Sequence, residues 1–231
     1  MLEQLKNTIK KTTDVYLNKF LPKIPEDKKS SAIASYEADI EKIADYISNT
    51  GFLNADFQLT EDFLKWFHKS LYPEGFIQKQ KDEKWKEVIW MIPGEYKHIK
   101  IISKDWDLCR DLPNWTPNYE LYTLPENTKK EIGALIDDFN GKIDTITDLN
   151  KKKDCVLFFV FKYTYIHPFS DWNGRLVMIL SDLFCLKFGM IPLHFMRLRE
   201  LDRQWLHKAI FMSHTQKNLK YIYDFIGKYS K

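Results

Sequence analysis

The chain has 231 residues, of which 44% are hydrophobic and 29% are charged, a composition typical of one globular domain or of one domain with a helical extension. Its net charge of +3 is too small to favour nucleic-acid binding through bulk electrostatics. Its three cysteines are widely spaced and fit no metal-binding pattern, so they predict reduced thiols in a cytoplasmic compartment.

Amphipathic helices dominate the first third of the sequence. Residues 3–20 repeat apolar side chains at helical spacing, and two prolines in LPKIPEDKK end that pattern. A second helix is predicted at about residues 30–49, with Gly51 placed as a C-terminal glycine. Thr60 is the predicted N-cap of a third helix, which ends before Pro73.

The middle of the chain predicts a β-hairpin, and the remainder predicts helices. The segment KEVIWMIPGEYKHIKII has two β-rich arms around Pro93-Gly94, which indicates a hairpin. Asn127 is a possible N-cap of the helix that follows a proline-rich connector. The run VLFFVF does not alternate polar with apolar residues, which favours a buried helix over a strand. The helices predicted here span about residues 127–140, 152–166, 174–188 and 200–228.

The segment YIHPFSDWNGRLVM, residues 165–178, places several polar groups between two apolar helices. Because a residue before proline avoids the helical region, the first of these helices should end near His167. The turn formers in SDWNG place the start of the next helix at Asn173 or Gly174. A helix start exposes unpaired N–H groups and the positive end of the dipole, an arrangement that binds phosphate.

Three side chains of this segment have the chemistry of a phosphate site. Arg175, in the first helical turn, opposes the helix dipole and is better explained if an anion binds beside it. Asp171 could ligate Mg²⁺, which favours a carboxylate together with phosphate oxygens. His167 faces the same space and could act as a general base on a hydroxyl group.

The same residues also fit a helix–turn–helix without chemistry. In that interpretation Asp171 or Asn173 caps the second helix and Arg175 pairs with Asp171. His167 is then a partly buried structural residue. The spacing of these residues is compatible with both interpretations.

The sequence HPFSDWNGRLVM resembles the signature of the Fic family: His-Pro-Phe, any residue, Asp or Glu, Gly-Asn-Gly-Arg, two residues and a second Arg. The flanking segments are similar as well, and the resemblance covers about residues 60–215. IPGEYKHIKI resembles the Fic flap, and LPENTKKEIGALIDDFN resembles the proline-led helix between flap and signature. The signature positions that match are His167, Pro168, Phe169, Asp171, Asn173, Gly174 and Arg175.

The resemblance implies a mostly α, Fic-like helical domain with a small β-hairpin flap. It implies transfer of AMP from Mg-ATP, or of another nucleotide monophosphate, to a Ser, Thr or Tyr hydroxyl of a protein target. His167 would take the hydroxyl proton, Asp171 would hold Mg²⁺ on the nucleotide, and Phe169 would anchor the loop. The anion loop would consist of Trp172, Asn173, Gly174 and Arg175, and the target-docking flap would contain Pro93, Gly94, Glu95 and Tyr96.

Two signature positions depart from the family pattern. Trp172 replaces the first glycine, which lets the backbone approach phosphate and tolerates unusual dihedral angles. Met178 replaces the last arginine, which grips the γ-phosphate in adenylylating members, and a thioether cannot make those charge-assisted contacts.

A further segment resembles a regulatory element of some Fic proteins. SSAIAS, residues 30–35, is similar to the inhibitory motif Ser-Ser-x-Ile-Glu-Gly, whose glutamate pairs with the last signature arginine. Ser30 and Ser31 match that motif, but Ala34 stands at the glutamate position, so both partners of the ion pair are replaced. The alternative is that Ser30 and Ser31 simply cap an ordinary helix.

Three functions remain compatible with these departures: adenylylation without this inhibition, transfer from a different phosphate-containing donor, or an inactive interaction module. We interpret residues 1–58 as a helical segment that packs near the active site and residues 59–231 as the Fic-like domain. The expected partners are a nucleotide and a protein target, not nucleic acid. The longest apolar run, residues 155–161, is too short to span a bilayer, and no signal peptide is recognisable. We expect a cytoplasmic protein, unless a secretion machine delivers it into a host cell.

Overall fold

A computed structural model of the chain describes residues 3, 5–10, 22, 25–72, 76–81, 85, 87–101, 109, 111–112 and 122–229. Helices predominate in this part of the chain, and one small antiparallel sheet accompanies them, as the sequence predicted. The helices are α1 (Glu26–Asn49), α2 (Glu61–Ser70), α3 (Pro125–Ile143), α4 (Leu149–Ile166), α5 (Asn173–Lys187), α6 (Phe195–Leu201), α7 (Arg203–Thr215) and α8 (Lys220–Tyr229), and the strands are β1 (Gln78–Lys81) and β2 (Glu87–Met91).

Helix α5 occupies the centre of the fold because it is buried on every face. All residues from Leu176 to Cys185 are buried, and helices α2, α4 and α6 pack against them. The two polar side chains within this stretch are satisfied: Ser181 Oγ donates to Met178 O at 2.7 Å, and Asp182 Oδ1 accepts from the His194 N–H at 2.8 Å. Among the described residues, no helix combines the length and the apolar character needed to cross a bilayer.

Helix α4 confirms the prediction of a buried helix at residues 152–166. It begins slightly earlier, where Asp148 Oδ1 accepts a hydrogen bond from the Lys151 N–H at 2.9 Å.

Helix α3 also begins earlier than predicted, at Pro125, so the predicted N-cap at Asn127 is wrong. Proline suits the first helical position because its ring fixes the helical φ and the missing N–H has no helical partner there.

Helix α1 begins at Glu26 rather than near residue 30. The extended backbone of Pro25 (φ −52°, ψ 142°) precedes the helix, and two acidic residues in the first turn complement the dipole. Ser30 and Ser31 therefore lie in the second turn, and their interpretation as helix caps is wrong. Of the helix predicted at residues 3–20, residues 5–10 are helical, and residues 11–20 lie outside the described part of the chain.

The N-terminal residues share one hydrophobic core with the rest of the fold. Leu5, Ile43 and Ile47 are buried in the same cluster as the apolar residues of α4 and α5. The rings of Tyr46 on α1 and Trp66 on α2 also stack, with centroids 3.3 Å apart. The boundary between residues 58 and 59 stays a prediction.

The hairpin exists, but its arms differ from those predicted. Strand β2 pairs with the preceding β1, whereas the second predicted arm, residues 95–101, is not a strand. Pro93-Gly94 forms a turn after β2, in which the Glu95 N–H donates to Ile92 O at 3.1 Å. The Lys97 N–H does not return to β2 but donates to Pro168 O at 2.8 Å. This contact with a distant loop overrides the strand propensity of residues 95–101.

The region predicted as helical at residues 200–228 contains breaks. Helix α6 ends at Leu201. Asp202 (φ −155°, ψ 83°) is the N-cap of α7, and its carboxylate accepts a hydrogen bond from the Trp205 N–H at 3.1 Å. A second break precedes α8, where Lys217 adopts a left-handed conformation. Residues on both sides of the first break, among them Arg199 and Arg203, line the same cleft.

Candidate active site

The loop between α4 and α5 borders a cleft of about 400 Å³. His167 ends α4, and the residues from Asp171 to Arg175 lead into α5, so the structure brings these predicted site residues together. Met178 lines the cleft one turn further along α5. The described residues on the other walls are Trp90, Ile101, Tyr122, Val160, Thr164, Phe195, Arg199, Arg203, His207 and Ile210.

Both ends of this loop have left-handed backbone. His167 (φ 49°, ψ 59°) is the C-cap of α4, and its N–H donates to Tyr163 O at 2.9 Å. Trp172 (φ 59°, ψ 11°) is the N-cap of α5. This conformation costs a non-glycine residue about 1–2 kcal/mol. Two such residues within one short loop therefore require strong support from their surroundings.

Asn173 supplies part of that support from inside the loop. Its Oδ1 accepts from the Phe169 N–H at 2.9 Å, and its Nδ2 donates to Phe169 O at 2.8 Å. Trp172 is the N-cap of α5 and Asn173 is its first residue, so the N-cap that the helix–turn–helix interpretation assigned to Asp171 or Asn173 is wrong. Phe169, which the resemblance makes the loop anchor, is completely buried.

His68 on α2 supports the loop from outside. Its Nδ1 accepts from the Gly94 N–H at 2.9 Å, so its Nε2 carries the proton and donates to Asp171 O at 3.0 Å. The ring also stacks on Phe169, with centroids 3.9 Å apart. Burial lowers the pKa of His68 to about 4, although the bond to the Asp171 carbonyl opposes that shift. One neutral imidazole thus joins α2, the turn after β2 and the signature loop.

Lys97 holds the other end of the loop. Its Nζ donates to Ile166 O at 2.9 Å, which satisfies a carbonyl at the C-terminus of α4, while its backbone N–H bonds to Pro168 O. The side chain is buried, and burial lowers its pKa to about 8, whereas Glu131 raises it. His167 is thereby left at a fixed helix end, half-buried, with its ring stacked on Tyr122 at a centroid distance of 4.0 Å.

Trp172 organises the charged side chains beside it. The Asp171 Oδ1 accepts from the Trp172 N–H at 2.7 Å. The Arg175 guanidinium carbon lies 3.8 Å from the Trp172 ring centroid, and that ring also packs against Tyr72 at 4.3 Å. Burial raises the pKa of Tyr72, and the Asp171 carboxylate raises it further. The bulky residue at the glycine position therefore positions Arg175.

The predicted flap lies beside the loop. Gly94 has φ +86°, a conformation that favours glycine, and its N–H is the donor to His68. Tyr96 donates its hydroxyl proton to Glu61 Oε2 at 2.9 Å and packs against Phe169. Pro93 is half-buried and Glu95 is exposed. Residues Pro93 to Tyr96 thus contact the supports of the loop, whereas Trp90 of β2 lines the cleft itself.

Ser30 and Ala34 of the predicted regulatory remnant are not among the described residues that line the cleft. Ser30 and Ala34 are exposed on α1, and the side chain of Ser31 is outside the described part of the structure. No α1 side chain that the structure describes lines the cleft.

Comparison with solved structures identifies this architecture. The fold matches the crystal structure of a Fic domain-containing signaling protein from Bacteroides thetaiotaomicron with a TM-score of 0.59 and 18% identity, over 98% of this chain and 84% of that chain. The chain has the Fic-domain fold. No family model matches the sequence, and no curated protein does.

Several residues around this Fic-fold site were missed by the sequence analysis. These residues lie outside the signature, because α2 and the C-terminal helices contribute to the site from far away in the chain. One signal was available: His68 falls on the buried face of α2 together with Phe63, Leu64 and Phe67, and a polar residue on an apolar face calls for a hydrogen-bonding partner. The missed residues are His68, Lys97, Tyr122, Arg199 and Arg203.

We predict that His68→Gln reduces the acid sensitivity of the fold. Because the folded-state pKa of His68 is lowered from 6.5 to about 4, its stabilisation is complete above pH 6.5 and is lost as the pH falls towards 4. Between pH 7 and pH 5 the wild-type chain should lose about 2 kcal/mol more unfolding free energy than the variant. Urea unfolding at both pH values measures this difference.

The control for this experiment is His98→Gln, which changes an exposed histidine. Burial also lowers the pKa of His214 to about 4, but that residue is present in every variant, so its contribution cancels in the comparison. Equal acid sensitivity in wild type and His68→Gln would show that His68 is not held neutral by the fold.

We predict that glycine is better tolerated than alanine at position 172. Both substitutions remove the ring, but only glycine adopts φ 59° without strain, so Trp172→Gly should be about 1 kcal/mol more stable than Trp172→Ala. The order should reverse at Lys162, an exposed residue of α4, where Ala exceeds Gly by about 1 kcal/mol. Thermal and urea unfolding give both differences. The same order at both positions would contradict the left-handed N-cap.

Proposed function

We propose that the protein transfers AMP from Mg-ATP to the hydroxyl group of a Ser, Thr or Tyr side chain in a target protein. The main observation in support of this proposal is that His167, Asp171, Arg175 and the start of the buried helix α5 line one cleft. The Fic fold supports it, since the resemblance implies this reaction for residues in this arrangement. The volume of about 400 Å³ suits a ligand of nucleotide size.

The phosphate groups would bind at the start of α5. The first turn of a helix presents unpaired N–H groups, and Gly174 lies in this turn and lines the cleft. A Cβ atom added to Gly174 would have no described atom within 4 Å outside its own helix and neighbours, so packing does not demand glycine there. The open space instead allows a phosphate group to approach the backbone. Arg175 would add a charge-assisted contact.

The donor set fits magnesium. Among the described residues, no group of three or more His, Cys, Asp or Glu side chains is arranged to hold a metal ion. Asp171 is nevertheless suited to Mg²⁺, which is commonly held by one or two carboxylates together with substrate phosphates and water. When bound, the ion would neutralise charge on the phosphate groups. The Trp172 N–H donates a hydrogen bond to Asp171 Oδ1, which orients the carboxylate.

His167 would act as the general base. The target hydroxyl oxygen forms a bond to the α-phosphorus of ATP while its proton passes to the imidazole. The bond between the α-phosphorus and the oxygen that bridges to the β-phosphate breaks, and pyrophosphate leaves with the bonding electrons. Because His167 caps the C-terminus of α4, the negative end of the helix dipole stabilises the imidazolium that forms.

The remaining walls of the site would bind the nucleoside and the target. Trp90, Tyr122 and Phe195 line the cleft and could stack on a base or ribose. The turn Pro93–Tyr96 lies beside the loop, next to a small sheet whose edges could accept an extended target segment.

A second candidate is transfer from a different phosphate-containing donor. Met178 favours it: this residue lines the cleft one turn after Arg175 and is 5% exposed, so α5 offers no second cation at that position. A donor that has no γ-phosphate would not need one there.

We predict an adduct on the protein itself after incubation with Mg²⁺ and ATP, because Fic-like enzymes often modify themselves. Intact mass spectrometry with ATP, GTP, CTP and UTP in parallel measures the adduct and identifies the donor. His167→Ala should abolish it and still bind nucleotide. An adduct of equal yield in His167→Ala would refute the assigned base. If no triphosphate gives an adduct but CDP-linked or UDP-linked donors do, the second candidate replaces the first.

We predict that Gly174→Ala strengthens the fold and weakens ATP binding. Alanine in place of a helical glycine should raise the unfolding free energy by up to about 1 kcal/mol. Its Cβ would occupy the space that phosphate needs, so calorimetry should show roughly tenfold weaker ATP binding. The control is Gly141→Ala, an exposed glycine of α3 that likewise has no described atom near its added Cβ. It should be stabilised without any change in affinity. Unchanged ATP binding in Gly174→Ala would exclude phosphate from this turn.

A further inference from the structure

Three flat side chains are stacked between the end of α2 and the start of α5. The Arg175 guanidinium carbon lies 3.8 Å from the centroid of the Trp172 ring, and the centroid of the Tyr72 ring lies 4.3 Å from that of Trp172, with the two rings tilted by 30°. Two groups this close to one centroid would collide if they shared a face of the indole, so they lie on opposite faces. Tyr72, Trp172 and Arg175 therefore form three successive layers.

Tyr72, which lies outside the signature, is held in place by the fold. It lies two residues after α2, and its N–H donates to Lys69 O at 3.1 Å. Its ring packs against the rings of His68 and Phe76, at centroid distances of 5.1 and 5.2 Å. Because the side chain is buried and bordered by other rings, it has little freedom to move. It therefore restricts the position of the Trp172 ring.

The contacts of Tyr72 come from its ring and not from its hydroxyl group. Among the described residues, none forms a hydrogen bond with this buried hydroxyl. Burial raises the pKa of Tyr72, the Asp171 carboxylate raises it further and Arg175 lowers it, so the hydroxyl stays protonated. The ring thus adds no charge beside the signature, and a phenylalanine could make the same contact with Trp172.

We infer that Tyr72 and Trp172 are positioning residues for phosphate binding, which hold the Arg175 guanidinium at the start of α5. The inference rests on the proposed function, because it assumes that Arg175 contacts a phosphate group. Stacking engages the flat face of a guanidinium, whereas the N–H groups that bond to phosphate lie in its plane. A side chain that is already restricted also loses less entropy when a ligand binds. The tryptophan at the glycine position therefore serves the site, and restoring glycine should impair it.

Calorimetry with Mg²⁺ and ATP tests this inference. Tyr72→Leu removes the ring and should weaken ATP binding roughly fivefold or more, and Trp172→Gly should do the same. Tyr72→Phe should retain the wild-type affinity, because it removes only the unbonded hydroxyl. In an Arg175→Gln chain, which should itself bind ATP more weakly, Tyr72→Leu should change the remaining affinity less than about twofold. Trp172→Gly in the same two chains gives a second cycle if Tyr72→Leu does not fold.

The matched control is Tyr46→Leu. Tyr46 also stacks on a tryptophan, Trp66, and neither residue is among the described residues that line the cleft. This variant should bind ATP as wild type does. An equal loss of affinity on Tyr72→Leu in the wild-type and Arg175→Gln chains would show a merely structural role and overturn the inference. Unchanged binding in Tyr72→Leu, or tighter binding in Trp172→Gly, would overturn it too.

The same measurements separate this inference from the proposed function. If Arg175→Gln binds ATP as tightly as wild type, or if the wild-type chain binds no ATP, the phosphate site at the start of α5 fails and the inference fails with it. If Arg175→Gln weakens binding but Tyr72→Leu does not, only the positioning role is lost. If both variants behave as expected but no adduct forms, the transferase proposal fails and the positioning role stands.

Discussion

The buried imidazole of His68 is the contact on which the geometry of the site depends. Its two ring nitrogens have opposite roles, one accepting from the Gly94 N–H and one donating to Asp171 O, so only the neutral ring satisfies both partners. Loss of either bond would leave a buried polar group unsatisfied, which is costly. The ring thereby couples α2 and the turn after β2 to a loop whose ends, His167 and Trp172, both have left-handed backbone.

The contacts of the Trp172 ring explain how the loop accommodates a tryptophan where the Fic signature has a glycine. The backbone of Trp172 is left-handed, and contacts of its ring offset the strain of that conformation. The indole lies between Tyr72 and the Arg175 guanidinium, so the substitution exchanges backbone freedom for a fixed cation. Tertiary contacts thus hold this loop in a left-handed conformation that tryptophan does not favour by itself.

The charged residues of the cleft come partly from the signature and partly from helices outside it. The signature contributes His167, Asp171 and Arg175, all near the ends of two helices whose dipoles favour an imidazolium and an anion, respectively. Arg199 and Arg203 line the same cleft from the junction of α6 and α7, more than twenty residues further along the chain.

The sequence alone determined the helical class of the fold, the helix end at His167 and the grouping of Asp171 to Arg175, because proline, turn formers and apolar periodicity act over a few residues. It misplaced the second hairpin arm and the caps at Ser30 and Asn127, since long-range hydrogen bonds and flanking prolines overrode local preference. Only the tertiary structure decided that His68 and Lys97 contact this loop and that Arg199 and Arg203 line the same cleft. Their contacts join residues far apart in the chain, and such contacts form only when the helices pack around α5.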